Sequence, residues 1–562
     1  MSYYDDILQK ITIELMITNN KPTEISKQMK RTAFNFLNLV YSACKPFEAM
    51  TWIVERLFDL DWIDMDEDKR METMYTFVIL VKSFEKSVIN QTDILKQLED
   101  FFNNFVNSSK SALMFLENIM KETHSNDTYP DIWELQVANM ISSILDVIEL
   151  YYFKITKNKN NIQNCQGNIL ESARYLLVLI FDKFILNYNM GLSKKYYDQF
   201  HPRYNIPNLN MSTINDVYTS TGRSIMNDIV HRCLILATQL GCSFDKLIYL
   251  RQTAIDNGDK NEDDYQMNYS AELSFDGILS VLALSIYDKL LPFAASSTCT
   301  LSLLPMMIDP IWIGKHCIGN IMNLLGNPDN TGRIDKAMLI LLYLSDNVND
   351  EKLKIDLDTI EQKFNGVNNE TMITLTTAFQ TLTSITSMTN DATLRFLGYQ
   401  LIDQFIKLST DETRIFILTE LLDNCPFPTM KTASIGLLKN QIFYVHRSHL
   451  KQHTATKPNI FHSPIIVEKF LPIIFNDKNT SFSQQQNEID QELFWDKFNY
   501  HMQALNFYYY LLSWDKQNQT TIWNKEQLEW MQSNYLNPLM SQCRQVSELY
   551  GNNSGDDISD VN

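Results

Sequence analysis

Glycine and proline are both scarce in this 562-residue chain, at fifteen each. An all-β chain needs a turn every ten residues or so, and turns draw heavily on those two residue types. Composition therefore argues against an all-β fold and for helices with short connectors. Cysteine is thin too. Its eight copies (Cys44, Cys165, Cys233, Cys242, Cys299, Cys317, Cys425 and Cys543) include no CxxC pair and build no tight framework. That scatter predicts reduced thiols and an intracellular setting, cytoplasmic with the nucleus as a further location.

Positive charge is in deficit, with 48 Lys and Arg against 67 Asp and Glu, a formal net charge of −19. Phosphate contacts need clustered Lys and Arg, so charge-driven binding to DNA, RNA or an anionic membrane is disfavoured. An acidic surface suits protein partners without selecting one. Long apolar runs are missing: the longest clean ones, 175–181 and 337–344, fall far short of the roughly 20 residues that span a bilayer. The first ten residues, MSYYDDILQK, lack the basic and apolar regions of a secretory signal. No phosphate-binding loop, dinucleotide fingerprint, kinase signature, GxSxG elbow or HExxH pair occurs. Together these absences point to a binding protein rather than an enzyme, with no cofactor.

What the chain has in quantity is helical periodicity. Apolar residues recur at three-and-four spacing over 23–43, 46–60, 69–90, 93–106, 131–153, 168–186, 224–240, 275–291, 334–344, 370–388, 394–408 and 492–513. The fold class is all-α. Short joints such as Lys45-Pro46 and Asn390-Asp391 make successive helices antiparallel neighbours, which stack into a degenerate HEAT- or armadillo-like α-solenoid. A compact multi-helix bundle is the alternative. Polar stretches at 154–167, 192–213, 253–274, 451–463 and 476–490 read as loops. The acidic one at 253–274 divides the chain into helical-repeat halves, 1–252 and 275–550, and 551–562 reads as a disordered acidic tail.

Few residues look chemical. His446, His449, His453 and His462 fall within seventeen residues, and the first three share a helical face at spacings suited to zinc. No cysteine or carboxylate lies among them, so the ligand set is incomplete; at an exposed helix end they would instead complement the dipole. Cys425 precedes a helix start near Lys431, a setting that lowers a thiol pKa. It also sits between two apolar faces, where cysteine serves as a small hydrophobe. The aromatic run Phe494, Trp495, Phe498, Tyr500, 507–510, Trp514, Trp523 and Trp530 reads as core, with a partner groove as the second reading. Acidic residues at 256–264 read as a solvated loop that is able to dock a basic segment.

The most informative stretch is 411–442, DETRIFILTELLDNCPFPTMKTASIGLLKNQI. Ile415, Leu418, Leu421 and Leu422 stripe one helix; Met430, Ala433, Leu437, Leu438 and Ile442 stripe the next. Pro426 ends the first helix, because it lacks an N–H and pushes Cys425 out of helical dihedrals. Pro428 suits the first turn of the second. This hairpin resembles the signature of the family that joins fungal Yap-binding proteins, vertebrate glomulin and the plant ALF-type root-development factor. The matching positions are Leu421, Leu422, Cys425, Pro426, Phe427, Ala433, Ile435, Leu437, Leu438 and Lys439, and composition leans towards the fungal branch.

The resemblance implies a HEAT-like scaffold without enzymatic activity, and the signature residues are expected to be structural. It implies an adaptor that binds an AP-type bZIP oxidative-stress transcription factor and promotes its peroxide-induced oxidation by a thiol peroxidase. A kinetochore-associated scaffold is one alternative. A glomulin-like inhibitor that masks the RING subunit of a cullin-RING ubiquitin ligase is another. Partner-binding residues do not carry over from the motif.

Overall fold

The computed structural model describes residues 35, 46–62, 67–90, 95–123, 131–157, 163–201, 220–258, 269–290, 309–348, 355–358, 363–365, 372–451, 460–476 and 491–553. Its helices are α1 Pro46–Phe58, α2 Glu67–Asn90, α3 Leu95–Thr123, α4 Asp131–Lys157, α5 Gln163–Ile180, α6 Leu192–Phe200, α7 Ser220–Leu240, α8 Phe244–Gly258, α9 Phe275–Leu290, α10 Pro310–His316, α11 Ile318–Leu324 and α12 Thr331–Asn347. Two three-residue strands, β1 Lys363–Asn365 and β2 Met372–Thr374, pair in a small sheet. Then come α13 Leu375–Met388, α14 Ala392–Lys407, α15 Asp411–Asp423, α16 Pro428–Lys451, α17 Leu471–Ile474, α18 Gln491–Trp514, α19 Lys525–Met531 and α20 Asn537–Asn553. The all-α expectation holds, with that strand pair as a minor addition. The predicted helix over 23–43 lies outside the described residues, apart from a helical Asn35.

Two compact units emerge. The first comprises Met1–Asn347, Phe364–Met372 and Thr389–Leu397; the second comprises Val348–Lys363, Ile373–Met388 and Gly398–Asn562. The boundaries between these units lie between 347 and 398. Helix α8 runs on to Gly258, into the acidic segment, and packs on α9. Residues 259–268 lie outside the described set, as does the expected tail beyond Asn553; residues 551–553 still belong to α20.

In the first unit, α1 packs on α3, α3 on α5, and α2 on α4, which in turn meets α7. Contact between alternate helices is the solenoid-like pattern, in which like members of successive antiparallel pairs stack into a layer. A half-buried charge network ties α2, α4 and α7 together. Arg232 donates to Asp146 at 2.7 Å, to Glu149 at 2.9 Å and to Ser142 Oγ at 2.8 Å, while Lys82 pairs with the other oxygen of Asp146. Among the described residues no single helix is long and apolar enough to cross a membrane.

Several expected loops are helical. Helices α4 and α5 extend into 154–167, and α6 occupies the start of 192–213. The reason for α6 is tertiary. Its N-cap, Gly191, is in the left-handed region at φ 61° and offers no side chain. The buried Asp335 of α12 substitutes, accepting from Leu192 N at 2.9 Å, Ser193 N at 2.9 Å and Ser193 Oγ at 2.6 Å. Before α6, the π-helical turn Phe181–Ile185 is completed by Asn187 Nδ2, which donates to the carbonyls of Asp182 and Lys183. The same turn passes so close to α12 that a Cβ on Gly332 would stand 2.2 Å from Asn187 O.

Candidate functional site

Within the second unit, local chemistry shapes the 411–442 hairpin much as the sequence suggests. Thr410 caps α15 by accepting from Thr413 N at 3.4 Å, and Asp411 and Glu412 place negative charge at the dipole's positive end. Arg414 turns back to donate to the terminal carbonyls of α14 at Ile406 and Lys407. An isolated bridge adds a clamp: Ile355 N donates to Leu408 O at 3.1 Å, and Thr410 N donates to Ile355 O at 2.8 Å. Beyond the turn, Pro428 opens α16, and Lys431 Nζ donates to Asp423 O at 2.7 Å, satisfying a carbonyl at the end of α15. Buried Gln441 of α16 reaches Asp403 of α14 at 3.1 Å.

The signature residues are mostly packing. Leu421, Leu422, Ile435, Leu437 and Leu438 are buried, and Ala433 is half-buried. Lys439 lays its ammonium 5.1 Å from the Tyr510 ring centre, a cation–π contact that joins α16 to α18. Cys425 is 6% exposed, and its thiol donates weakly to Phe427 O at 3.9 Å. Burial pushes that thiol up, and the Lys431 charge opposes this more weakly. This is a small buried side chain, not a poised thiolate. Pro426 is exposed and Phe427 is half-buried, so both reach the surface.

They do so at the end of a groove of about 350 Å³ between α13 and α15. Phe379 and Thr383 of α13 face Phe416, Ile417 and Leu421 of α15, and the Cys425-Pro426-Phe427 turn closes one end. Phe379 is held from behind by Phe405, ring centres 6.1 Å apart and edge-on. Phe416 stands partly in solvent at the rim. Glu420 is the single charged residue in the lining, and Asn424 Nδ2 donates to it at 2.9 Å. A concave, chiefly apolar surface of this size accepts one or two large apolar side chains. Its acidic rim favours a base beside them.

The α13 wall was not read from the sequence. Its fourteen residues, LTTAFQTLTSITSM, contain no charged side chain. That was the available signal, since a helix with no charged residue has no strongly solvated face. Helix α13 is shorter than expected at its start, because 372–374 pair as β2 and Thr374 Oγ1 then accepts from Thr377 N at 3.1 Å as a cap.

The other candidates separate. His446 and His449 lie on α16, His453 is outside the described residues, and His462 sits on a 3₁₀ turn against Trp514, ring centres 4.9 Å apart. Among the described residues, no group of three His, Cys, Asp or Glu is placed to hold a metal ion. Most of the acidic run at 256–264 lies outside the described residues. The aromatic run divides between core and surface. Tyr500, Phe507 and Tyr508 are buried, whereas Trp495, Phe498, Tyr509 and Trp523 are exposed.

Residues 339–561, which include the groove and the hairpin, match a family model described as an uncharacterised protein family, YAP/Alf4/glomulin. The resemblance read from the hairpin thus holds over this C-terminal span. The match supports protein partners in general and no particular one. No curated protein matches the chain.

Proposed function

We propose that this chain, carrying a YAP/Alf4/glomulin span at its C-terminal end, is a non-enzymatic adaptor whose α13–α15 groove anchors an apolar side chain of a partner protein. One observation carries the reading. The Cys-Pro-Phe turn that marks the family also closes an open apolar groove, so the motif is both scaffold and rim. Glu420 at the groove and the net charge of −19 favour a partner segment with Lys or Arg beside its anchor.

The finer reading is that the partner is an AP-type bZIP oxidative-stress transcription factor, held near a thiol peroxidase so that peroxide-induced oxidation of the factor is favoured by raised effective concentration. The buried Cys425 fits a passive role, in which thiol chemistry belongs to the partners. The setting would be cytoplasmic, with passage to the nucleus alongside the factor.

Affinity purification of the tagged full chain, with and without peroxide, tests this beside a Phe416→Glu variant. Phe416 is at the rim, so the substitution alters the groove with little effect on the core. Recovery of a bZIP factor and thiol peroxidase with the parent chain, and their loss with the variant, is the expected result. Centromere proteins instead would favour a kinetochore scaffold, and a cullin with its RING subunit would favour a ligase inhibitor. Unchanged recovery by Phe416→Glu would remove the groove from the proposal.

A further inference from the structure

Helix α18 has two apolar faces. Tyr500, Ala504, Phe507, Tyr508 and Leu511 are buried and form the face that packs into the second unit. A second stripe runs along Trp495, Phe498, Met502, Leu505, Tyr509 and Leu512, at alternating spacings of three and four. At about 100° per residue these six fall within roughly 100° of the helix circumference, on the side away from the buried face. Four of them are well exposed: Trp495 48%, Phe498 40%, Met502 43% and Tyr509 73%; Leu505 and Leu512 are half-buried. A helix that needed only one packed face would carry polar residues here. The remaining exposed side does, with Asp496, Asn499, Gln503, Asn506 and Ser513.

Six residues at this spacing from 495 to 512 form a heptad seam, the pattern by which one helix receives another as knobs into holes. The flank of the seam indicates which helix. Positions that select a partner by charge in such seams are here Asn499, Asn506 and Ser513, all neutral. In a chain of net charge −19, repulsion is the main obstacle to self-association, and this strip lacks it. Laid antiparallel on its own copy, the seam also matches in size. Trp495 meets Leu512, Phe498 meets Tyr509, and Met502 meets Leu505, each pairing occurring twice about a two-fold axis. Trp495 and Phe498 already touch along the stripe, ring centres 5.5 Å apart with the planes tilted by 45°.

We infer that α18 is a self-association helix, pairing antiparallel with α18 of a second copy of this chain through the 495–512 seam. The exposed apolar surface is of the order of 400 Å² per copy, about half of what a stable interface buries on each partner. The dimer is therefore weak and concentration-dependent. None of the groove residues named above is on α18, so this surface is additional to the proposed anchor site.

Sedimentation velocity of the full chain from about 1 to 200 μM tests it, that being the range for a weak interface. The expected result is a monomer–dimer equilibrium that Met502→Glu weakens at least tenfold, with far-UV helicity and melting unchanged. Register is checked by oxidation in a Cys543→Ser background. The Trp495→Cys/Leu512→Cys double variant should give a covalent dimer. Trp495→Cys alone should not, because the two copies of position 495 would lie about 25 Å apart. A parent chain that stays monomeric throughout, a dimer indifferent to Met502→Glu, or equal cross-linking by the single and double variants would each overturn the inference.

Discussion

Asp335 and Ser193 meet inside the first unit with 2.6 Å between carboxylate and hydroxyl, 142 residues apart in sequence. With the N–H groups of Leu192 and Ser193, that contact makes Asp335 the N-terminal cap of α6, a helix to which it does not belong. Next to it Lys336, also fully buried, donates to Tyr188 O at 2.7 Å, so two adjacent residues of α12 hold both sides of the 188–193 turn.

Asp335→Ala should strip three hydrogen bonds at once and leave buried donors unsatisfied, costing about 3–5 kcal/mol, while Asp335→Asn should cost less. Hydrogen exchange across 192–200 is the sensitive readout, since a chain with two compact units need not unfold in a single step. Protection of α6 unchanged in Asp335→Ala would show that the cap is dispensable.

Gly332 and Gly314 both lie in helices and should respond oppositely to alanine. At Gly332 a Cβ would meet the backbone of Asn187 and Tyr188, the nearest atom at 2.2 Å, so α12 must shift and stability should fall by about 3 kcal/mol or more. At Gly314 nothing lies within 4 Å, and Gly314→Ala should stabilise by up to about 1 kcal/mol through helix propensity. Melting temperatures of the two variants moving in the same direction would contradict this.

His501 is buried on α18, with Nδ1 3.0 Å from the Tyr535 hydroxyl. Burial, helped by the charge of Lys497, lowers its pKa from the usual 6.5 to about 4. The unfolded chain therefore takes up a proton more readily than the folded one between pH 6.5 and 4. The His501 contribution is fully present above pH 6.5 and is lost as pH falls towards 4, by about 2–3 kcal/mol. His501→Gln keeps a polar partner for Tyr535 and does not titrate. Its melting temperature should vary less than the parent's between pH 7 and 4.5.

Five thiols have described surroundings, and four of them are buried. Burial pushes Cys233, Cys242 and Cys317 up to about 12 and raises Cys425, whereas Cys543 is exposed. Since the thiolate is the reacting form, iodoacetamide at pH 7.5 should label Cys543 well before the other four. Peptide mapping by mass spectrometry reads the order, and early labelling of Cys425 would reopen a redox role for it.

Legibility followed the range of the interactions involved. The hairpin was readable because its determinants are local: Thr410 and Pro428 act within their own first turns, and the leucine stripes follow helical spacing. Helix α6 was not, because residues around Gly191 supply no cap and the sequence from 192 to 213 is polar with two prolines. Half of the groove was missed for a related reason. The turn and α15 carried a recognisable pattern, but α13 became a wall only where packing brought Phe379 opposite Ile417 and Leu421.

The sequence by itself determined the class of fold, the position of most helices, the sharp turn at Pro426 and a resemblance that residues 339–561 sustain. These depend on periodicity and on backbone restrictions that act within four or five residues. Tertiary structure decided where the chain divides, which distant carboxylate caps α6, and whether Cys425 is exposed or packed. It also decided which aromatics of α18 are core and which face solvent, since two apolar stripes on one helix look alike until neighbouring helices cover one of them.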